Sequence, residues 1–96
     1  MSGKPERLLF RVHAIQRMFQ RGVTVEDVRQ ILATGETIEQ YPDDTPYPSR
    51  LAFGWCGSRP LHVVFAENQP SREIIVVTVY EPDRDRWDND FRRRRV

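Results

Sequence analysis

The sequence predicts an α+β domain, with two N-terminal helices packed on one face of a four-stranded antiparallel sheet in the order ααββββ. Three observations predict it. Apolar residues recur at spacings of three and four up to Leu32, and at a spacing of two from Glu36 onward. The later segments are joined by stretches of hairpin length, which leave no room for crossover helices.

The first helix is expected from about Phe10 to Gln20. Val12, Ile15, Met18 and Phe19 fall within about a third of the helical wheel and are expected to face the core. His13 and Arg17 fall almost opposite, with Arg21 one turn further on, and form a surface stripe. Gly22 ends the helix. Thr24 is a natural N-cap for the next, with Glu26 and Asp27 at its positive end. Val25, Val28, Ile31 and Leu32 form its buried face, and Gly35 stops it. A helix-turn-helix DNA reader is disfavoured, because no third helix follows and the second begins acidic.

"ETIEQY" reads as the first strand and "PDDTPYP" as a stiff loop. "RLAFGWC" is a strand expected to turn Leu51, Phe53 and Trp55 inward, followed by the turn "GSRP" and the strand "LHVVFAE". "NQPS" then leads into "REIIVVTVY", apolar on both faces and expected at the centre of the sheet. "EPDRDRWDNDFRRRR" leaves the sheet as a polar tail with a short turn around Trp87 and Phe91. The expected organisation is a loose arm over residues 1–9, one domain over 10–91 and a basic tail over 92–96.

Ninety-six residues support one modest core. The 15 Lys+Arg and 14 Asp+Glu leave a net charge of +1, so the chain is no polycation, yet residues 1–21 contain one acid and "RRRR" closes the chain. Nearly all the bases are arginine. That suits bidentate contact with phosphate or carboxylate, and a GC-rich genome produces the same bias. Cys56 stands alone, which excludes an intrachain disulfide and a zinc knuckle. No apolar run matches a signal peptide or a membrane span, so a cytoplasmic location away from membranes is expected. No glycine-rich phosphate loop, HExxH, GxSxG or trustworthy metal spacing occurs, so neither a metal nor another cofactor is expected.

Leu61, Val63 and Phe65 are expected to meet the helices, leaving His62 on the other, more open face. Thr78 and Tyr80 share a face in the last strand, taken to be the one His62 occupies, and Arg50 and Cys56 are placed there too. An imidazole, a phenol and a guanidinium are the parts that metal-free RNA cleavage needs: a base for the ribose 2′-OH, an acid for the leaving 5′ oxygen and cations for the phosphate. Each residue also has a plainer reading. His62 can be a hydrogen-bonded sheet residue, the helix arginines solvated surface, and Tyr80 an edge of the core.

The blocks H-x-x-x-R-x-x-x-R-G at residues 13–22, L-H-V-V at 61–64 and T-V-Y-x-P-D at 78–83 occur in order. With the intervening "GVTVEDVRQILATGETIEQYPDD" and "PYPSRLAFGWCGSRP", the chain from His13 to Arg94 resembles a bacterial family of domains of unknown function, numbered 4258. That family is similar to RelE- and MqsR-like toxins of the barnase/EndoU/colicin/RelE fold group. The resemblance implies a small RelE-like endoribonuclease of a type II toxin–antitoxin pair, leaving a 2′,3′-cyclic phosphate. It implies RNA, including ribosome-bound mRNA, as substrate and a cognate antitoxin as partner. By motif, His13, Arg17, His62 and Tyr80 are the catalytic candidates and Arg21 is an RNA-binding candidate; Arg50 joins Arg21 as an RNA-binding candidate from its expected place on the outer face. The alternative is a binding module of the same fold that holds RNA or protein without catalysis.

Overall fold

The structure is a computed structural model that describes residues 7–88 and 90–94. The elements are β1 (Arg7–Phe10), α1 (Val12–Arg21), α2 (Val25–Thr34), β2 (Glu36–Tyr41), β3 (Ser49–Cys56), β4 (Arg59–Asn68) and β5 (Glu73–Tyr80). They form one five-stranded sheet in the order β1-β5-β4-β3-β2.

This corrects the expected four-stranded antiparallel sheet. β1 pairs in parallel with β5, from Arg7 opposite Glu73 to Phe10 opposite Val76, so the sheet is mixed. Four residues are too few to display a period of two, and the parallel partner lies more than sixty residues away. The strand's apolar Leu8 and Phe10 therefore read as the approach to a helix. β4 takes the centre of the sheet, with β5 beside it. Residues 1–6 of the expected arm, and 95–96 of the expected tail, lie outside the described residues.

α1 ends on Gly22 at φ 65°, with Val23 N–H donating to the Met18 carbonyl at 2.9 Å. α2 opens with a capping box in which the Thr24 hydroxyl accepts from Asp27 N–H and the Asp27 carboxylate accepts from Thr24 N–H. α1 lies on β5, and α2 lies on β3 and β4. Arg59, at the head of β4, donates to the carbonyls of Arg21 and Gly22 and pairs with Glu81, so the C-terminal end of α1 is tied to that end of the sheet.

The expected core face of α1 is also corrected. Ala14 and Met18 are the buried residues, whereas Val12, Ile15 and Phe19 are exposed. The small Ala14 lets the helix backbone approach the sheet, which rotates the larger apolar side chains out to one flank.

Helix and sheet meet in a core of Ala14, Met18, Val28, Ile31, Leu61, Val63, Val76 and Val79, flanked by Phe65. Val76 and Val79 both face the helices, although three residues apart, because β5 carries a bulge where Val64 pairs with Thr78 and Phe65 with Val76. A second core covers the opposite face. It consists of Leu51 and Phe53 beneath Trp87 and Phe91, with Ile38, Tyr41 and Val64 around them. Leu51 and Phe53 are thus inward-facing, but toward the C-terminal segment and away from the helices, while Trp55 stays half exposed. The sequence pattern identifies a buried face without saying which layer buries it.

Gly35 sits where α2 turns into β2. A β-carbon there would lie 2.6 Å from the carbonyl oxygens of both Ile31 and Phe53. Neither backbone can yield, so Gly35→Ala is expected to cost about 1–3 kcal/mol as overpacking, read as a lower urea midpoint. At Gly54 the corresponding clash is with the tip of the Ile31 side chain, which can turn aside. Gly54→Ala is therefore expected to cost less.

Candidate active site beneath a C-terminal strap

After β5 the chain turns at residues 83–87 and crosses the outer face of the sheet as a strap ending in a bridge between Trp87 and Arg94. Arg92 pairs with Glu36 at 2.8 Å and Arg94 with Glu39 at 3.0 Å, fastening the strap to β2. Three strap guanidiniums lie over aromatic rings: Arg84 over Phe91, Arg92 over Phe53 and Arg94 over Trp87.

His62 is fully buried under this strap. Phe53 pairs with it from β3 and Tyr80 from β5, and the imidazole stands perpendicular to the Trp87 ring with centroids 4.4 Å apart. Its Nε2 lies 2.9 Å from the Phe91 carbonyl oxygen. A carbonyl only accepts, so Nε2 carries the proton. The lone pair of the neutral ring is then at Nδ1, which lies 3.4 Å from the Tyr80 hydroxyl. Burial pushes the His62 pKa below the ordinary 6.5, against the opposing pull of the Phe91 hydrogen bond and Glu39. Burial also raises that of Tyr80, so at neutral pH the pair is an intact phenol facing a neutral imidazole.

Tyr80 opens on a cleft of about 270 Å³ lined by Glu81, Asp83, Arg86, Trp87 and Arg94. Glu81 is taken up by Arg59, and Arg94 by Glu39. Glu39 also accepts from the Tyr41 hydroxyl at 2.6 Å, which helps to raise Tyr41 to about 12 after desolvation. The arrangement can move a proton between a bound group, the phenol and the imidazole behind it. Among the described residues no cluster of three His, Cys, Asp or Glu is placed to hold a metal ion.

The structure brings two of the candidate residues together and separates the rest. His62 and Tyr80 share the outer face. His13, Arg17 and Arg21 are exposed on α1, in the helical layer on the other side of the sheet. Arg50 pairs with Glu67 and stacks over Phe65 at 5.4 Å, so it belongs to the helix side. Cys56 is on that side too, next to Asp27, and the carboxylate beside it holds its pKa up. The residues that sequence reasoning passed over are Trp87, Phe91, Arg86, Arg94 and Glu39. The available signal was Trp87 and Phe91, two large aromatics four apart in an otherwise polar tail.

The sequence profile of the family described as Domain of unknown function (DUF4258) matches residues 10–81. The chain belongs to this family. No curated protein and no solved structure matches the chain. The DUF4258 match includes His62 and Tyr80 and ends at Glu81, so the strap residues that cover His62 lie beyond the matched span. No helix among the described residues is long and apolar enough to cross a membrane.

The buried neutral histidine has a measurable consequence. Its folded-state pKa lies below its unfolded one, so the unfolded chain binds more protons as pH drops below about 6.5. The stability contributed by neutral His62 is complete above that value and declines below it. Glu39, with a lowered pKa, adds a loss of the same sign at lower pH, below its ordinary 4.5. Urea midpoints are expected to fall between about pH 7.5 and about pH 5.5, before the carboxylates contribute, and a flat profile over that window would contradict the burial of His62.

Proposed function

We propose that this DUF4258 protein is a cytoplasmic endoribonuclease of the toxin type, similar to RelE- and MqsR-like toxins, held in check by a cognate antitoxin. The observation that carries this reading is the Tyr80–His62 pair. A phenol in a cleft is backed by an imidazole whose tautomer is fixed by the Phe91 carbonyl. Nucleophile activation elsewhere uses the same order of parts, with a reacting hydroxyl, a base behind it and a group that orients the base.

In the proposed reaction the 2′-oxygen of the substrate forms a bond to the adjacent phosphorus, and the bond from phosphorus to the 5′ oxygen breaks. The 2′-OH proton passes to the Tyr80 oxygen as the phenol proton passes to His62 Nδ1. The imidazolium returns its proton through Tyr80 to the leaving 5′ oxygen. The products are a 2′,3′-cyclic phosphate and a 5′-hydroxyl. Tyr80 is the catalytic residue and His62, fully buried, is the positioning and relay residue behind it. Arg86, which makes no ion pair among the described residues, stands at the cleft to hold the phosphate. This replaces a two-histidine scheme, because His13 is on the other layer.

The test is incubation of the purified protein with a labelled single-stranded RNA, with its all-2′-deoxy counterpart and with translating ribosomes. Cleavage of RNA alone, giving cyclic-phosphate ends, is expected. Intact RNA in every arm, together with normal growth on expression, would overturn the reading and leave the non-catalytic binding module.

A further inference from the structure

The strap that roofs His62 lies on the sheet without joining its hydrogen-bond ladder. Its backbone bonds turn back on the strap itself: Arg86 and Trp87 donate to Asp83, Asp88 to Arg93 and Phe91 to Asp88. Among the described residues, no backbone hydrogen bond joins the strap to a strand. It is therefore a small unit folded on itself and held down by side chains. Trp87 and Phe91 pack on Leu51 and Phe53, and Arg92 stacks over the Phe53 ring. Three polar contacts complete the fastening: Arg92 to Glu36, Arg94 to Glu39, and the Phe91 carbonyl to His62 Nε2. Phe91 offers that carbonyl from a left-handed backbone at φ 61°, a costly conformation for a bulky residue. The closed strap holds this strain, and release relaxes it.

The group beneath the strap is the one that neutral-to-acid pH titrates first. Facing His62 are Glu39 from β2, Phe53 from β3, Tyr80 from β5, and Arg94, Trp87 and the Phe91 carbonyl from the strap. Only Glu39 among them can balance an imidazolium, and Glu39 is already shared with Arg94 and the Tyr41 hydroxyl. A proton at Nδ1 therefore places a poorly matched charge inside the second core. Lifting the strap lets water reach that charge and takes the Arg94 cation away from it.

We infer that the strap is an acid-released cover, which lifts from the sheet as a unit when His62 and then Glu39 take up protons, while the helices and the sheet stay folded. The helix-side core contains no strap residue, so it remains intact when the strap leaves. Lifting also takes Arg86, Trp87 and Arg94 away from Tyr80, and the cleft comes apart with it. The ratio of lifted to closed strap rises by up to about tenfold per pH unit as pH falls from 6.5 toward the lower pKa of buried His62. Glu39 adds to the rise below its ordinary 4.5. The release does not rest on the proposed reaction, since it needs neither substrate nor nuclease activity.

The experiment follows Trp87 in the full chain carrying Trp55→Phe, which leaves Trp87 as the single tryptophan. Acrylamide quenching of its fluorescence is read from about pH 7.5 to about pH 4, with far-UV circular dichroism recording the helices. Quenching is expected to rise at least about threefold over that range at constant helical signal. His62→Gln keeps an N–H for the Phe91 carbonyl and removes the imidazole, so its rise should begin about one pH unit lower or more. Glu36→Gln/Glu39→Gln takes away both carboxylate fastenings and should show raised quenching already at about pH 7.5. Those two positions lie on the edge strand β2 and outside the buried residues of both cores, so this variant is expected to fold. A Trp87 shielded throughout the range, or a rise that coincides with loss of the helical signal, would overturn the inference. So would an unmoved rise in His62→Gln, or wild-type quenching in Glu36→Gln/Glu39→Gln. No RNA enters the measurement, so failure here and failure of the nuclease reading are separate results.

Discussion

Trp87→Ala is expected to lower the free energy of unfolding by about 3–5 kcal/mol, the usual range for a large aromatic removed from a core. Trp87 is 3% exposed although it sits in a segment rich in Asp and Arg. Its ring stands perpendicular to the His62 imidazole, and the Arg94 guanidinium stacks over it at 4.7 Å. The second core consists of two sheet residues, Leu51 and Phe53, and two strap residues, Trp87 and Phe91, so each strap aromatic supplies a large share of it. Its loss would also admit water to His62. The His62 pKa is then expected to rise back toward 6.5, because desolvation is the first cause holding it down. Urea unfolding measures the first effect, and an NMR titration of the imidazole protons the second. A variant within about 1 kcal/mol of wild type, with an unmoved histidine, would mean that the strap merely rests on the sheet.

That prediction concerns the part of the molecule the sequence concealed. The helical periods, the capping residues Thr24 and Asp27, the stop at Gly22 and the four later strands are local signals, and each appears where its local chemistry places it. The pairing of His62 with Tyr80 was legible for a similar reason. Alternation along two neighbouring strands assigns faces, and hydroxyls and imidazoles collect on the less apolar one. What could not be read was long-range. β1 depends on an edge of β5 far along the chain, and the roof over His62 depends on a tail whose composition suggests solvent. The orientation of α1 failed for a different reason. The apolar stripe was real, but helical periodicity records only that such residues align. It is silent on whether this domain or a partner covers them.

Tyr80→Phe carries the second large effect. It deletes one oxygen at the cleft and leaves the ring that packs against His62, with centroids 5.3 Å apart. The lost hydroxyl contact is long, at 3.4 Å, so the stability change is expected to stay within about 1 kcal/mol. If the phenol carries protons between the 2′-oxygen, His62 and the leaving 5′ oxygen, cleavage should fall about 10²–10⁴-fold, mainly in kcat. The pH profile of the wild type separates this relay from a structural role. The relay requires neutral His62, whose pKa lies below 6.5, and protonated Tyr80, whose pKa lies above 10.0. Activity should therefore decline only on the acid side of 6.5, stay flat through neutrality and remain through pH 10. Two exposed histidines acting as base and acid would instead give a bell centred between pH 6 and pH 7, at about their ordinary values. His62→Gln retains an amide N–H that can serve the Phe91 carbonyl but has no base to accept the phenol proton. It should lose most of the activity together with the acid limb. A bell-shaped wild-type profile, or a Tyr80→Phe variant that cleaves RNA at the wild-type rate, would place the chemistry elsewhere on the surface and reduce the Tyr80–His62 pair to a hydrogen bond within the second core.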